Sequence, residues 1–357
     1  MKFTIKTGLT DQYLQISDQE YHYSFGYYSN NSWVDDHRIV MSRFKAEDLT
    51  AIQMHSESVN PVPIQLVLVD LDARQETILT EPLCMSYSDY VVHGTTLYYV
   101  EAAEKLYKMD VETGETTLVY HGEGINFPHM TSDGKYLNWH HDTPEDQPNA
   151  GMRINLETGE VVKMFERKFS PPFTVSNHMM ICPTDPDLLF FAHEGNTFYV
   201  SNRLWLAPLG KEPFNIAKQY LNADGDLGDC FGHECWAADG KGMYFVKYPC
   251  SPEPPRGLCY VPLDKPNESK VLYSKYNYWH VSVAPDGRHL AADTQDNGFS
   301  GVCLVDMETG KEEMLTKTKT NWRHPCHPHP HFNPSCTKLA FHELDENGQI
   351  VVGFFDI

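Results

Sequence analysis

A repeat restricts the fold of this chain more than any other feature. A polar turn, an apolar strand, a second strand closing on an apolar–Asp or similar pair, another turn and a further strand recur from end to end. The second copy, residues 93–120, reads HGTTLYYVEAAEKLYKMDVETGETTLVY. The sixth carries APDGRHLAADTQD (284–296) and then GVCLVDMETGKEEMLT (301–316), and the seventh, from residue 333, is NPSCTKLAFHELDENGQIVVGFFDI. The pairs Asp133-Gly134, Asp239-Gly240 and Asp286-Gly287 are hairpin punctuation. Seven units in 357 residues come to about 51 each, which is the range of β-propeller blades. Helical periodicity is nearly absent, so a TIM barrel would lack its helices, and the evenness of the repeat argues against two stacked β-sandwiches. The expectation is an all-β chain, a single seven-bladed β-propeller domain over residues 1–357. The N-terminal strand, around Phe3 to Leu14, is expected to pair in the last blade beside the C-terminal strand, 350–357, and so close the ring.

Charge narrows the partners. At a net −21, nucleic acid and anionic membrane are excluded as bulk partners, and an anionic substrate would need a local positive site. Hydrophobic residues at 41% and charged residues at 22% suit a soluble globular protein. The first residues, MKFTIKTGLTDQYLQIS, lack an apolar core of signal-peptide length, and no run of about 18 apolar residues exists. The nine cysteines have no paired metal-ligand spacing, Cys230 and Cys235 being the close pair. A reduced thiol set in a cytoplasmic protein is the simplest account.

The stretch His324–His331 holds four of the 18 histidines and three prolines in eight residues. Proline fixes an extended backbone and donates nothing to a ladder, so this is a poor core strand and a good comb for presenting imidazoles. Side chains two apart share a face, which would align His327, His329 and His331. Imidazole suits Mn, Fe, Ni, Cu and Zn. Propeller ligands gather at the axial mouth, and several blades carry a histidine near their opening turn: His129, His178, His233, His280, and His327 with His329. Matched positions in successive blades would surround one axis.

Four segments, AHEGNTFYVSNRLWLA (192–207), FGHECWAADGKGMYFVKY (231–248), WHVSVAPDGRHLAADTQD (279–296) and HPHPHFNP (327–334), resemble in order the motifs of the oligogalacturonate lyases, seven-bladed propeller enzymes of pectin breakdown. The resemblance implies β-elimination on a short anionic uronide. It implies His280, His327 and His329 as metal ligands, with Mn²⁺ the family's metal. The family's fourth ligand is a glutamine three residues before the His-Pro-His; here that position is His324, and a four-imidazole set would also accept Zn²⁺, Ni²⁺, Cu²⁺ or Fe²⁺. Arg203 falls on the family's active-site arginine and His233 on its catalytic histidine. His22, in EYHYSFGYY, matches an early family histidine and is a candidate substrate contact, as are His178 and His193, either of which could also protonate the leaving oxygen. Glu194 and Glu234 each follow a histidine, and strand alternation reads them as blade-to-blade hydrogen-bond partners. Tyr27 and Tyr28 could stack on sugar or fill the core. The alternatives are a lyase on another uronide (glucuronate- or rhamnose-uronate-type), a metal-dependent hydrolase or isomerase, and a non-catalytic binding propeller of the TolB or WD-repeat sort. The oligomeric state stays open.

Overall fold

In the computed structural model, residues 1–27, 29–54, 62–141, 147–221 and 225–357 are described, and Tyr28 lies outside them. Seven antiparallel sheets follow one another, six of four strands and one of five, making a seven-bladed β-propeller. One short helical stretch, Ala46–Asp48 continuing into Leu49–Met54, interrupts the strands among the described residues.

The blades form because the strands alternate and the turns repeat. Large side chains on inward strand positions, among them Trp139, Tyr90, Phe190, Phe245 and Phe341, are completely buried, and each contributes about 1.5–3 kcal/mol by leaving water. Each Asp-Gly pair closes a tight turn: the N–H of Gly134 reaches the carbonyl of Thr131 at 2.9 Å, and Gly240 and Gly287 repeat that bond to Ala237 and Ala284. These glycines sit at φ near +70°, where a Cβ would be strained. Blade seven makes the same turn with Cys336, at φ +58°, in the glycine's place. At the outer hairpins, Asp110 and Asp306 each accept N–H bonds from the residues two and three positions on, which is why DVETGE and DMETGK recur.

Two compact units can be distinguished: residues 1–122 with 284–357, and residues 123–283. The first contains the five-stranded sheet. There the strand beside the C-terminal Ile350–Asp356 is Gln12–Ser17, with Tyr13 opposite Phe355, and Lys2–Thr7 lies outside it as a fifth strand. The expected single strand from Phe3 to Leu14 is thus two, because Gly8 turns back onto the carbonyl of Asp11 at 2.8 Å. The second unit holds the sheets that open with Ile125–Met130, Ser176–Ile181 and Phe231–Trp236, together with the strand Tyr278–Val283.

Candidate active site

The third residue of those four opening strands is Phe127, His178, His233 and His280. In the first three strands the register slips at this point, between Asn126 and His129, Asn177 and Met180, and Gly232 and Cys235. Phe127, His178 and His233 have φ of +48°, +51° and +52°. A bulge whose residue sits in the left-handed region costs about 1–3 kcal/mol and re-aims a side chain. The matched position of the third blade is therefore Phe127, and His129, two residues on, is out of step with the others. It is buried, its Nδ1 lies 3.1 Å from the carbonyl of Phe127, and burial pulls its pKa down to about 4.

The bulge at His233 also undoes strand alternation. Glu234, fully buried, accepts from Arg203 Nε at 2.6 Å and lies 3.6 Å from His178 Nδ1. Glu194 accepts from both terminal nitrogens of Arg203 at 3.1 Å and lies 3.9 Å from His178 Nε2. Arg203 grips Glu194 bidentately. Three of its N–H groups are spent on carboxylates, of the five a guanidinium owns. Burial alone would raise the Glu194 carboxyl; the Arg203 charge, then His178, outweigh it and hold it at about 2.

His233 donates through Nδ1 to the carbonyl of Trp279, which makes Nε2 the basic nitrogen of the neutral ring. Its ring lies 3.8 Å from that of His280 and 5.2 Å from Tyr248. Gly232 is needed here, since a Cβ would fall 1.8 Å from the Tyr248 hydroxyl. Burial, then His280 and Arg203, push the His233 pKa well below its ordinary value.

Two other candidates are held by the scaffold. His193 has Asn202 Oδ1 at 2.8 Å and the carbonyl of Phe173 at 2.9 Å, and stacks on Phe169 with ring centres 3.6 Å apart. His22 accepts the N–H of Ile350 at 2.9 Å and sits 3.2 Å from the carbonyl of Ala46, tying the first blade to the last.

The histidine run is not one extended comb. A turn over residues 323–326, with the N–H of Cys326 on the carbonyl of Arg323 at 2.7 Å, folds His324 back, and His329 has φ +42°. The rings of His324, His327 and His329 then lie 4.8–5.3 Å from one another, with Tyr27 5.2 Å from His329. His331 diverges into the strand His331–Phe332 and stacks loosely on Phe25, centres 6.3 Å apart. Asp293, fully buried, accepts the N–H of His329 at 3.2 Å.

His327 and His329, both buried, lie in the first unit and His280, also buried, in the second; these are the three imidazoles that could hold a metal ion, and His324 is not among them. The donors fit a divalent transition metal: burial drives His327 down to about 3, so its imidazole presents a lone pair and not a proton. Sequence reasoning gave no role to Asp293 or Tyr248; it read Glu194 and Glu234 as blade-to-blade hydrogen-bond partners, which Glu234 is, without naming Arg203 as the residue they hold. The Asp293 signal lay inside the segment AADTQD; the others need the bulge, which no residue pattern announces.

No family model matches the chain. An oligogalacturonate lyase of Dickeya dadantii (strain 3937) is 24% identical over 327 residues, 78% of this chain and 80% of that protein. An oligogalacturonide lyase of Pectobacterium atrosepticum is 26% identical over 208 residues, 53% of this chain and 51% of that protein. Among solved structures, an oligogalacturonate lyase in complex with manganese superposes with a TM-score of 0.80 at 19% identity, covering 100% of this chain and 96% of that one. That likeness establishes the fold.

Proposed function

We propose that this relative of the oligogalacturonate lyases is itself a carbon–oxygen lyase, acting as one propeller domain on short oligogalacturonates. The carrying observation is the set of three buried imidazoles that could hold a metal ion, His327 and His329 in the first unit and His280 in the second, where His233 lies against it. A divalent cation there, Mn²⁺ by likeness to the manganese-bound structure, would neutralise the substrate carboxylate and stabilise charge developing beside it.

The rest falls to the chain's own side chains. The proton on carbon 5 of a uronate is α to a carboxylate and barely acidic. His233 Nε2 removes it as general base, and the Trp279 carbonyl stabilises the imidazolium through Nδ1–H. The electron pair forms the 4,5 double bond, the bond from carbon 4 to the glycosidic oxygen breaks, and that oxygen takes a proton. His178, beside Glu194 and Glu234, is the better donor, since His193 already meets Asn202 and Phe173. Arg203 orders those two carboxylates and can turn its remaining N–H groups on the uronate. His324 supports the ligand rings from beside them. The nine cysteines, all free thiols, suit a cytoplasmic enzyme working on imported fragments.

The test is absorbance of the unsaturated uronide with digalacturonate and trigalacturonate, with EDTA and then with Mn²⁺ restored. A signal that EDTA stops and Mn²⁺ rescues is expected. A flat trace with metal bound overturns the substrate, and a flat trace with no metal bound overturns the lyase.

A further inference from the structure

Cys230 and Cys250 are twenty positions apart in sequence, yet the turn that holds Cys250 is fastened through Ser251 to the backbone of Cys230, and each thiol influences the other. The fold builds this proximity with backbone. The N–H of Tyr248 bonds the carbonyl of Cys230 at 2.8 Å, extending the pairing of Phe231 with Lys247 by one residue. A tight turn follows, the N–H of Ser251 on the carbonyl of Tyr248 at 3.0 Å, with Cys250 inside it. Ser251 fastens the turn: its hydroxyl oxygen accepts the N–H of Cys230 at 3.0 Å and its hydroxyl lies 3.3 Å from the Cys230 carbonyl. Arg256 is anchored to the same turn, Nε on the carbonyl of Ser251 at 2.5 Å and Nη2 on that of Pro252 at 3.0 Å.

Cys250 is exposed and Cys230 is completely buried. An accessible thiol, a nearby guanidinium and a second thiol close by are the parts of a peroxide-responsive pair. From this geometry we infer that Cys250 and Cys230 form a reversible disulfide when the protein meets hydrogen peroxide. The balance is explicit. The Cys250 sulfur attacks one peroxide oxygen, giving the sulfenic acid and water. The Cys230 thiol then displaces the sulfenic hydroxyl as a second water, leaving one S–S bond. Peroxide is the oxidant, reduced to water, and a dithiol reductant reverses the change. Burial, the dominant influence on both thiols, holds each above its ordinary pKa, so the reaction calls for excess peroxide and not traces. The bond would close the hairpin that carries His233 and Glu234 and tether the turn after Tyr248, whose ring rests against His233.

The experiment treats the whole reduced protein with hydrogen peroxide at about 1 mM, a level chosen for a slow thiol. It then maps peptides without reduction. Expected are a linked Cys230–Cys250 peptide, loss of two of the nine titratable thiols, and full reversal by dithiothreitol. Cys250→Ser, at an exposed position, should fold as the parent does by circular dichroism and lose no thiols under the same treatment. A Cys250 that goes to sulfinic acid unlinked, a link to any other cysteine, or no thiol loss at all would overturn the pair. None of these readouts depends on lyase activity, so the result stands apart from the substrate assay.

Discussion

The histidine run around His327 and the cluster around Arg203 handle buried charge in opposite ways. In the run, burial strips protons: His327 falls to about 3 and His331 to about 4, leaving imidazoles that offer lone pairs. In the cluster the charges stay. Arg203 is buried and still a cation, and Glu194 and Glu234 remain carboxylates because the arginine's charge outweighs the cost of their burial. The first region is the one that a cation from outside would complete, on the proposed function; the second carries its own. A ligand that binds only the folded state raises stability by mass action, so Mn²⁺ should reinforce the run and leave the cluster indifferent.

The largest effects should fall on the run. His327→Ala or His329→Ala is expected to abolish Mn²⁺ retention, read by metal analysis after gel filtration, and turnover with it. Full activity in a metal-free variant would break the distinction between the two regions. His233→Ala should separate metal from chemistry: retention stays at the parent level while turnover falls by about 10²–10⁴, the usual worth of a general base. Unchanged turnover would move the base elsewhere.

The cluster should respond in stability instead. Glu234→Gln leaves Arg203 Nε without its charged partner in a fully buried place. Removing one member of a buried pair costs about 3–5 kcal/mol, which in a chain of this size lowers Tm by about 4–7 °C. Mn²⁺ retention should not move. A variant that loses its metal and keeps its Tm would reverse the assignment of the two regions.

The same contrast separates what residue patterns reveal from what they hide. Turns carried by Asp-Gly and by the Asp-x-x-x-Gly hairpins are local chemistry, so the blades can be counted from the residues alone. The candidate ligand imidazoles, His280, His327 and His329, are picked out from the residues in the same way. What failed was whatever depended on a bulge or a tight turn breaking a period. Strand alternation made Glu234 a blade-to-blade hydrogen-bond partner, as it is on Arg203 Nε of the preceding blade, but the left-handed His233 beside it hid that His178 joins the same cluster. The same alternation put His331 beside His327 and His329, where the turn at Arg323–Cys326 and the φ of His329 separate them. Counting positions from the turn made His129 equivalent to His178, although the register makes it Phe127. Pairings such as Cys230 with Cys250 or Arg203 with Glu194 are tertiary, and nothing in their spacing could announce them.

The smallest expected effect tests whether the cluster is held by charge or only by shape. Glu194 is partly exposed and paired with Arg203 through two bonds of 3.1 Å. Its folded pKa of about 2 lies below the ordinary 4.5. A depressed carboxylate contributes stability that is fully present above the unfolded value and is lost as pH falls through the folded one. The contribution should therefore be whole above about pH 5 and fade between there and pH 2. Glu194→Gln keeps the shape and removes the charge, so parent and variant should differ in urea midpoint at pH 7, and the gap should narrow at pH 4 and again at pH 3. Comparing the two proteins at each pH cancels the titration of every other carboxylate. A gap of constant size down to pH 3 would mean that Glu194 holds Arg203 by hydrogen-bond geometry alone, and the cluster would then no longer differ from the run in being held together by charge.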